Sequence, residues 1–272
     1  ITVVRLPRSG AAAARNAAAA RAGGDLLVFV DDDITLDPNA LLAMVDAAAT
    51  AGDAVVLGDL RDAMATTPAA SESVEGRPHA AGAARGEEDR LVPTHFTHCM
   101  TGFLAVQRSV FERLGGFQDP TGGWPSWDDV DFGYRAHRAG LPVLRAVRAK
   151  ALHRDAMQAT FESARDRWWR AAHSAAALFE RYPELLAEMP MFRDKTPIDW
   201  HGDSLGCIAR KIARRGVSSV PAVIVLRSLR WTLLRGRYFA PAVRAIEAQL
   251  IRGAMARGFR GGCNHQRRAS LR

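Results

Sequence analysis

Lysine is nearly absent from this 272-residue chain: only Lys150, Lys195 and Lys211 occur, so almost all of its 37 basic side chains are arginine. The three cysteines, Cys99, Cys207 and Cys263, stand far apart with no Cys-x-x-Cys spacing. That excludes a disulfide framework and a cysteine-built zinc site, and a reducing, cytoplasmic setting is the simplest expectation. No apolar run approaches the ~20 residues of a membrane span. The strongest stretch, Val220 to Leu226, is interrupted by Pro221 and closed by Arg227. The chain opens Ile-Thr-Val-Val, with neither an initiator Met nor a basic-then-apolar leader pattern. No internal repeat is visible.

What is present is ordinary for a packed protein of one large or two small domains: 48% hydrophobic and 24% charged residues. The heavy use of Ala and Arg reads as the bias of a GC-rich bacterial genome. The net charge of +8 hides an asymmetry. From Leu205 to Arg272 there are 15 basic residues and one acid, Glu247, whereas residues 1–204 hold 22 basic and 28 acidic ones. Two differently charged parts call for two explanations.

Along the chain, Ile1–Leu6 reads as a short strand, and an Ala-rich helix then runs to about Ala22, ended by Gly23-Gly24. Leu26–Val30 is a continuous apolar run of strand length, the pattern of a strand buried on both faces. A helix from Pro38 to about Thr50 and a strand at Ala54–Leu57 follow. This alternation implies an α/β sheet with parallel strands, whose ligands bind beyond the strands' carboxyl ends. Residues 61–90, rich in Ala, Ser, Gly and Glu, read as a flexible loop. A strand at Met100–Val106, a helix at Ser109–Leu114, a helix from Asp129 to Arg138 and a strand at Leu141–Val147 come next. The expected organisation is an α/β domain over 1–155 and a helical, basic region over 156–272.

Asp31-Asp32-Asp33 follows the buried strand directly. Three consecutive carboxylates repel one another unless a cation sits among them. Mg²⁺ or Mn²⁺ bound with a diphosphate suits such hard oxygen ligands. As on a strand, Asp31 and Asp33 point to one side and Asp32 to the other, so Asp31 and Asp33 can share one diphosphate–metal complex. The pattern Asp31-x-Asp33-x-Thr35 also fits phosphatases of the haloacid-dehalogenase type, with Asp31 as nucleophile. That chemistry wants a Lys ahead of a later acidic pair, and none precedes Lys150.

Three blocks then occur in order. The first runs from Gly10 through Arg15-Asn16 to Asp31-Asp32-Asp33. The second is Thr101-Gly102 through Arg108 to Gly115-Gly116-Phe117. The third is Trp127-Asp128-Asp129-Val130-Asp131 to Gly140. Together they resemble family 2 glycosyltransferases of the GT-A fold over Gly10 to about His153. The resemblance implies a GT-A-like (Rossmann-like), mixed, mostly parallel sheet lacking its first strands, because Ile1–Leu6 looks like the fold's third strand. On that view the chain is shortened at its N-terminus and expected to bind donor weakly or not at all. Two positions depart from the family pattern: Ala18 replaces a glycine and Asp128 a glutamate.

The resemblance also assigns roles. Gly10, Arg15, Asn16, Asp31 and Gly102 would meet the nucleotide-diphosphate-sugar donor, and Asp31, Asp33 and His153 the Mn²⁺ or Mg²⁺. Asp129, paired with Asp128, would be the general base of an inverting transfer to an acceptor hydroxyl. Trp124 and Trp127 are candidate acceptor platforms, since aromatic faces suit sugar C–H surfaces. The acceptor would be a glycan or lipid-linked glycan of the bacterial envelope or a polysaccharide. A non-catalytic binding module on the same fold is the alternative from another class.

After Pro197 the resemblance fades. Segments Ile208–Arg215, Val220–Arg235 and Pro241–Arg257 mix apolar residues with Arg at near-helical spacing. They suit peripheral contact at the inner face of an anionic membrane, or a helical subdomain with a solvated basic face. Nucleic-acid binding is not expected, as no motif for it accompanies the charge.

Overall fold

The apolar run Leu26–Val30 forms strand β1, and the chain then turns within three residues into a second, short strand β2 (Ile34–Leu36). A computed structural model of the chain describes residues 1–7, 9–62, 91–119, 127–154, 160–236 and 240–269. Two compact units result, one comprising Ile1–Gly122 with Ser126–Ala156, the other centred on Met157–Arg272.

The first unit is a mixed α/β sheet of β1, β2, β3 (Val55–Asp62), β4 (Leu91–Pro93), β5 (Phe103–Gln107) and β6 (Val143–His153). Its order is β1-β5-β3-β6-β2, with β4 also on β6. Strands β1, β3 and β6 run in one direction, as the strand–helix–strand spacing implied. Only β3–β6 is a parallel pair, however, because β5 inserts antiparallel between β1 and β3. Helix α1 (Gly10–Arg21) precedes β1, and α2 (Ala40–Ala51) precedes β3. Alternation along the strands sends side chains to two faces. On one face Met44 and Ala48 of α2 pack with Val56, Phe103, Ala105 and Ala151. On the other, Phe29 meets Phe111 of α3 (Arg108–Arg113) and Phe117 at ring-centroid distances of 5.4 and 5.0 Å. Phe132 of α4 (Asp128–Arg138) packs tilted against Phe117 at a ring-centroid distance of 4.8 Å. This aromatic cluster supports the carboxyl end of β1.

Three expectations are corrected. Ile1–Leu6 is not a strand, since no described segment takes up its backbone hydrogen bonds, and Ile1 and Val3 are exposed. Strands β2 and β4 are additions to the expected elements: each is three residues long, too short a run to mark a strand by itself, and forms by pairing with β6. The segment taken as a loop from residue 61 begins as strand, with Arg61 and Asp62 in the β3–β6 ladder. The rest of that loop, 63–90, lies outside the described residues, as does Trp124.

The second unit is helical: α5 (Phe161–Arg181), α6 (Leu185–Glu188), α7 (Leu205–Val217), α8 (Val220–Arg235) and α9 (Ala240–Ala269). Thr160 and Ser163 cap α5 reciprocally. Helix α9 runs well past the expected end at Arg257 although Gly258, Gly261 and Gly262 lie ahead. These glycines face α5: a Cβ on Gly258 would lie 2.2 Å from the Trp169 carbonyl oxygen, and one on Gly262 2.1 Å from that of His173. Their missing side chains let the two helices touch, which outweighs glycine's poor helix propensity. The two buried lysines of this unit are paired. Lys195 and Arg214 bind Asp194, and Lys211 binds Asp203.

Candidate active site

Asp31 sits where β1 ends, and its N–H donates to the Gly102 carbonyl at 3.0 Å. The chain reverses here, with Ile34 N–H donating to Asp31 O. Residues 31–33 therefore form a turn, and the strand alternation expected for Asp31 and Asp33 does not apply. Their carboxylates go to different partners. Asp31 Oδ1 accepts from Arg15 Nη2 at 2.8 Å, whereas Asp33 Oδ2 lies 3.2 Å from His153 Nε2. The β2–β6 ladder places Ile34 opposite His153, which brings His153 alongside Asp33.

Arg15 is the hinge of the arrangement. Its Nη1 donates to Asp128 Oδ2, also at 2.8 Å, across 113 residues of sequence. Asp128 is buried in the first turn of α4, where the helix dipole also favours a negative charge. Burial alone would lower the Arg15 pKa. The hydrogen bond that Arg15 donates to Asp31 and the charges of Asp31, Asp128 and Asp129 outweigh it, so the net direction is up. Asp129 stands beside this pair, its Oδ1 accepting from the Val130 N–H at 2.8 Å.

Asn16 acts through the backbone. Its side-chain amide donates to Phe117 O at 2.8 Å and accepts from Phe117 N–H at 2.9 Å. The preceding Gly116 has φ +66°, and a Cβ there would lie 2.8 Å from Asn16 Oδ1. Only glycine allows that turn to reach α1. Gly10 opens α1 at φ +80° near Asp119, and a Cβ on Gly102 would lie 3.7 Å from Asp31 Oδ2, so Gly102 borders the acidic end of β1. Trp127 immediately precedes α4, its carbonyl accepting from Asp131 N–H.

The geometry thus gathers Arg15, Asp31, Asp128 and Gly102 at one place, and Asp33 with His153 at another point of the same turn. It does not gather Asp31 with Asp33 and His153 into one cage. Among the described residues no group of three or more His, Cys, Asp or Glu is poised around a metal position. Three supporting residues escaped the sequence reading. Arg108 donates to the Ala19, Ala22 and Gly24 carbonyls and so closes the C-terminal end of α1. Nothing in sequence marks such long-range carbonyl partners. Arg135 binds the fully buried Asp131 and the Leu114 and Gly116 carbonyls. Its spacing of four from Asp131 was the available signal. Cys99 is buried against Gly133, its thiol pushed well up by burial and then by the charges of Asp129 and Asp128, so it is inert.

A mixed sheet with an acidic turn after its edge strand and a carboxylate-bearing helix beside it is a GT-A-like fold. Residues 1–115 match the family model described as glycosyl transferase family 2. The chain shares its fold with the mannosyltransferase PcManGT from Pyrobaculum calidifontis, solved in complex with GDP-Man and Mn²⁺. The TM-score is 0.51 at 18% identity, over 92% of this chain and 67% of that one. S. aureus TarS, residues 1–349, aligns at a TM-score of 0.39 and 13% identity, over 95% of this chain and 71% of that one. No curated protein sequence matches. The family match leaves the phosphatase reading without support.

Proposed function

We propose that the first unit transfers a sugar from a nucleotide-diphosphate sugar to an acceptor hydroxyl with inversion, in the assembly of a bacterial glycan. The observation that carries this reading is the Arg15 bridge, which holds the acidic turn after β1 against the acidic start of α4. Donor and acceptor chemistry then share one locus.

Asp33 and His153 would hold the divalent ion. A carboxylate beside an imidazole fits Mn²⁺, whose remaining positions suit phosphate oxygens and water. When bound, the ion stabilises negative charge on the departing nucleoside diphosphate. Asp129 takes the proton from the acceptor hydroxyl, and the freed oxygen attacks the anomeric carbon as the bond to the diphosphate breaks. Asp128, already committed to Arg15, is a positioning residue rather than the base. Gly10, Gly102 and Asp31 border the donor, and Trp127 stands on the acceptor side. That a protein of the same fold holds GDP-Man and Mn²⁺ supports this assignment.

The test is calorimetric titration of UDP and GDP with Mn²⁺, together with nucleotide release from the matching sugar donors. Asp33→Ala is expected to weaken nucleotide binding by more than the roughly 10–100-fold that loss of an outer-sphere partner costs. Asp129→Asn is expected to leave binding intact and to slow transfer by roughly 10²–10⁴. Nucleotide affinity indifferent to both Mn²⁺ and Asp33→Ala would overturn the metal assignment. Firm nucleotide binding without any transfer would favour a non-catalytic module.

A further inference from the structure

The second unit contains a cavity of about 340 Å³ whose wall is both cationic, with Arg165, Arg227 and Arg257, and apolar, with Trp169, Val223 and Leu250. Its one lining carboxylate, Asp166, and the nearby Glu162 are spoken for. Asp166 binds Arg165 at 2.8 Å, and Glu162 binds Arg165 at 2.6 Å and reaches Arg227 at 3.6 Å. Arg257 instead donates to the Ser218 carbonyl at 3.2 Å, while Arg260 donates to the Ser218 hydroxyl at 3.0 Å. Among the described residues neither forms an ion pair with a carboxylate. Burial and then the neighbouring cations Arg165 and Arg260 push the Arg257 pKa down, and burial and Arg215 do the same to Arg260. Half-buried guanidinium groups crowded together in this way call for an anion. Phosphate, with its several acceptor oxygens, matches their fork geometry.

The cavity is continuous with an unusual surface, because Val223 and Arg227 belong to α8, a 16-residue helix with no buried residue. Val220, Ile224, Val225, Leu229, Trp231 and Leu234 of that helix are exposed by 46–70%. Arg235 lies 3.9 Å from the Trp231 ring centroid. Helix α7 adds exposed Leu205 and Ile212, and α7 and α8 meet at Ser218 with a bend of 67°. No single described helix is long and apolar enough to cross a membrane. Exposed apolar side chains interspersed with arginine, in a segment with one acid among 15 basic residues, complement a negatively charged bilayer surface.

We propose that this unit docks on an anionic membrane, the α8 face lying in the interfacial layer and the Arg165–Arg227–Arg257 cavity taking a lipid phosphate head group. The reading is independent of the catalytic assignment, since every residue it uses belongs to the second unit. The test is co-sedimentation of the chain with phosphatidylcholine vesicles, with and without phosphatidylglycerol, alongside titration of inorganic phosphate followed by tryptophan fluorescence. Binding is expected only to the phosphatidylglycerol vesicles. Arg257→Gln/Arg260→Gln is expected to lower partition by roughly 30-fold, equivalent to about 1 kcal/mol per arginine near the surface. Ile224→Ser/Trp231→Ser, which alters only exposed side chains and spares the core, is expected to lower it as well. Vesicle binding that survives both double substitutions overturns the proposal. So does a phosphate response without vesicle binding, which assigns the cavity to a free anion. Self-association abolished by Ile224→Ser/Trp231→Ser, again without vesicle binding, assigns the face to a second copy and overturns it too.

Discussion

Arg15 donates to Asp31 and to Asp128 through separate nitrogens, and the Asp128 side chain keeps only 5% of its exposure. Arg15→Met would leave a buried carboxylate without its cation. The expected loss is about 2–3 kcal/mol, short of the ~3–5 of a fully buried pair because the guanidinium and Asp31 retain contact with water. Urea denaturation measures it. Arg15→Lys should recover only part of that stability, as an ammonium lacks the fork that serves two carboxylates at once. Asn16→Ala removes both hydrogen bonds to the Phe117 backbone and leaves its N–H and carbonyl unmet. A cost of about 1–3 kcal/mol follows, read as a lower denaturation midpoint at unchanged slope.

Helix contacts set the next scale. Gly262→Ala should destabilise by about 1–3 kcal/mol, because the new Cβ falls 2.1 Å from the His173 carbonyl oxygen and the α5–α9 pair must part. Gly253→Ala, in the same helix, meets only Arg257 and Ser218 at 3.6–3.7 Å and should stabilise by up to about 1 kcal/mol. Opposite shifts of melting temperature would confirm the pair; shifts of one sign would refute the close-packing account. The same glycines show where sequence legibility ends. Local pattern carried β1, α1, α2 and α4 to within a residue or two, because apolar runs, caps and Asp-rich starts are local signals. It missed β2, β4 and the last three turns of α9, which depend on partners distant in sequence. At the candidate site, the sequence offers Arg15, Asp31, Asp33, Asp128 and His153 as candidates. The division of Asp31 to Arg15 and Asp33 to His153 was not legible, since it follows from the turn after β1 and from the register of β2 on β6.

Across the molecule, the pH response should be seated in the helical unit. His173 lies on α5 facing α9, and burial, followed by the nearby His265, holds its pKa below the ordinary 6.5. The folded state therefore resists protonation that the unfolded chain accepts. This contribution to stability is complete above the ordinary histidine value and is lost as pH falls through 6.5 toward the depressed folded value. Melting temperature should decline modestly between about pH 7.5 and pH 5.5, and His173→Gln should flatten the decline. Asp194, held below its usual range against burial by Lys195 and Arg214, acts only in more acidic solution, its contribution vanishing as pH falls below 3.8. In the sheet unit, one guanidinium answers to two carboxylates, which the proposed function sets on the donor and acceptor sides of a transfer. Any molecule that draws Asp31 toward itself loosens its hold on Arg15 and leaves that cation more fully to Asp128. Thermodynamic reciprocity then requires the converse: whatever settles beside Asp128 must alter the affinity at Asp31 by the same factor. Under the proposed function the two halves of the site are not filled independently, and a shared arginine is the smallest device that makes them communicate.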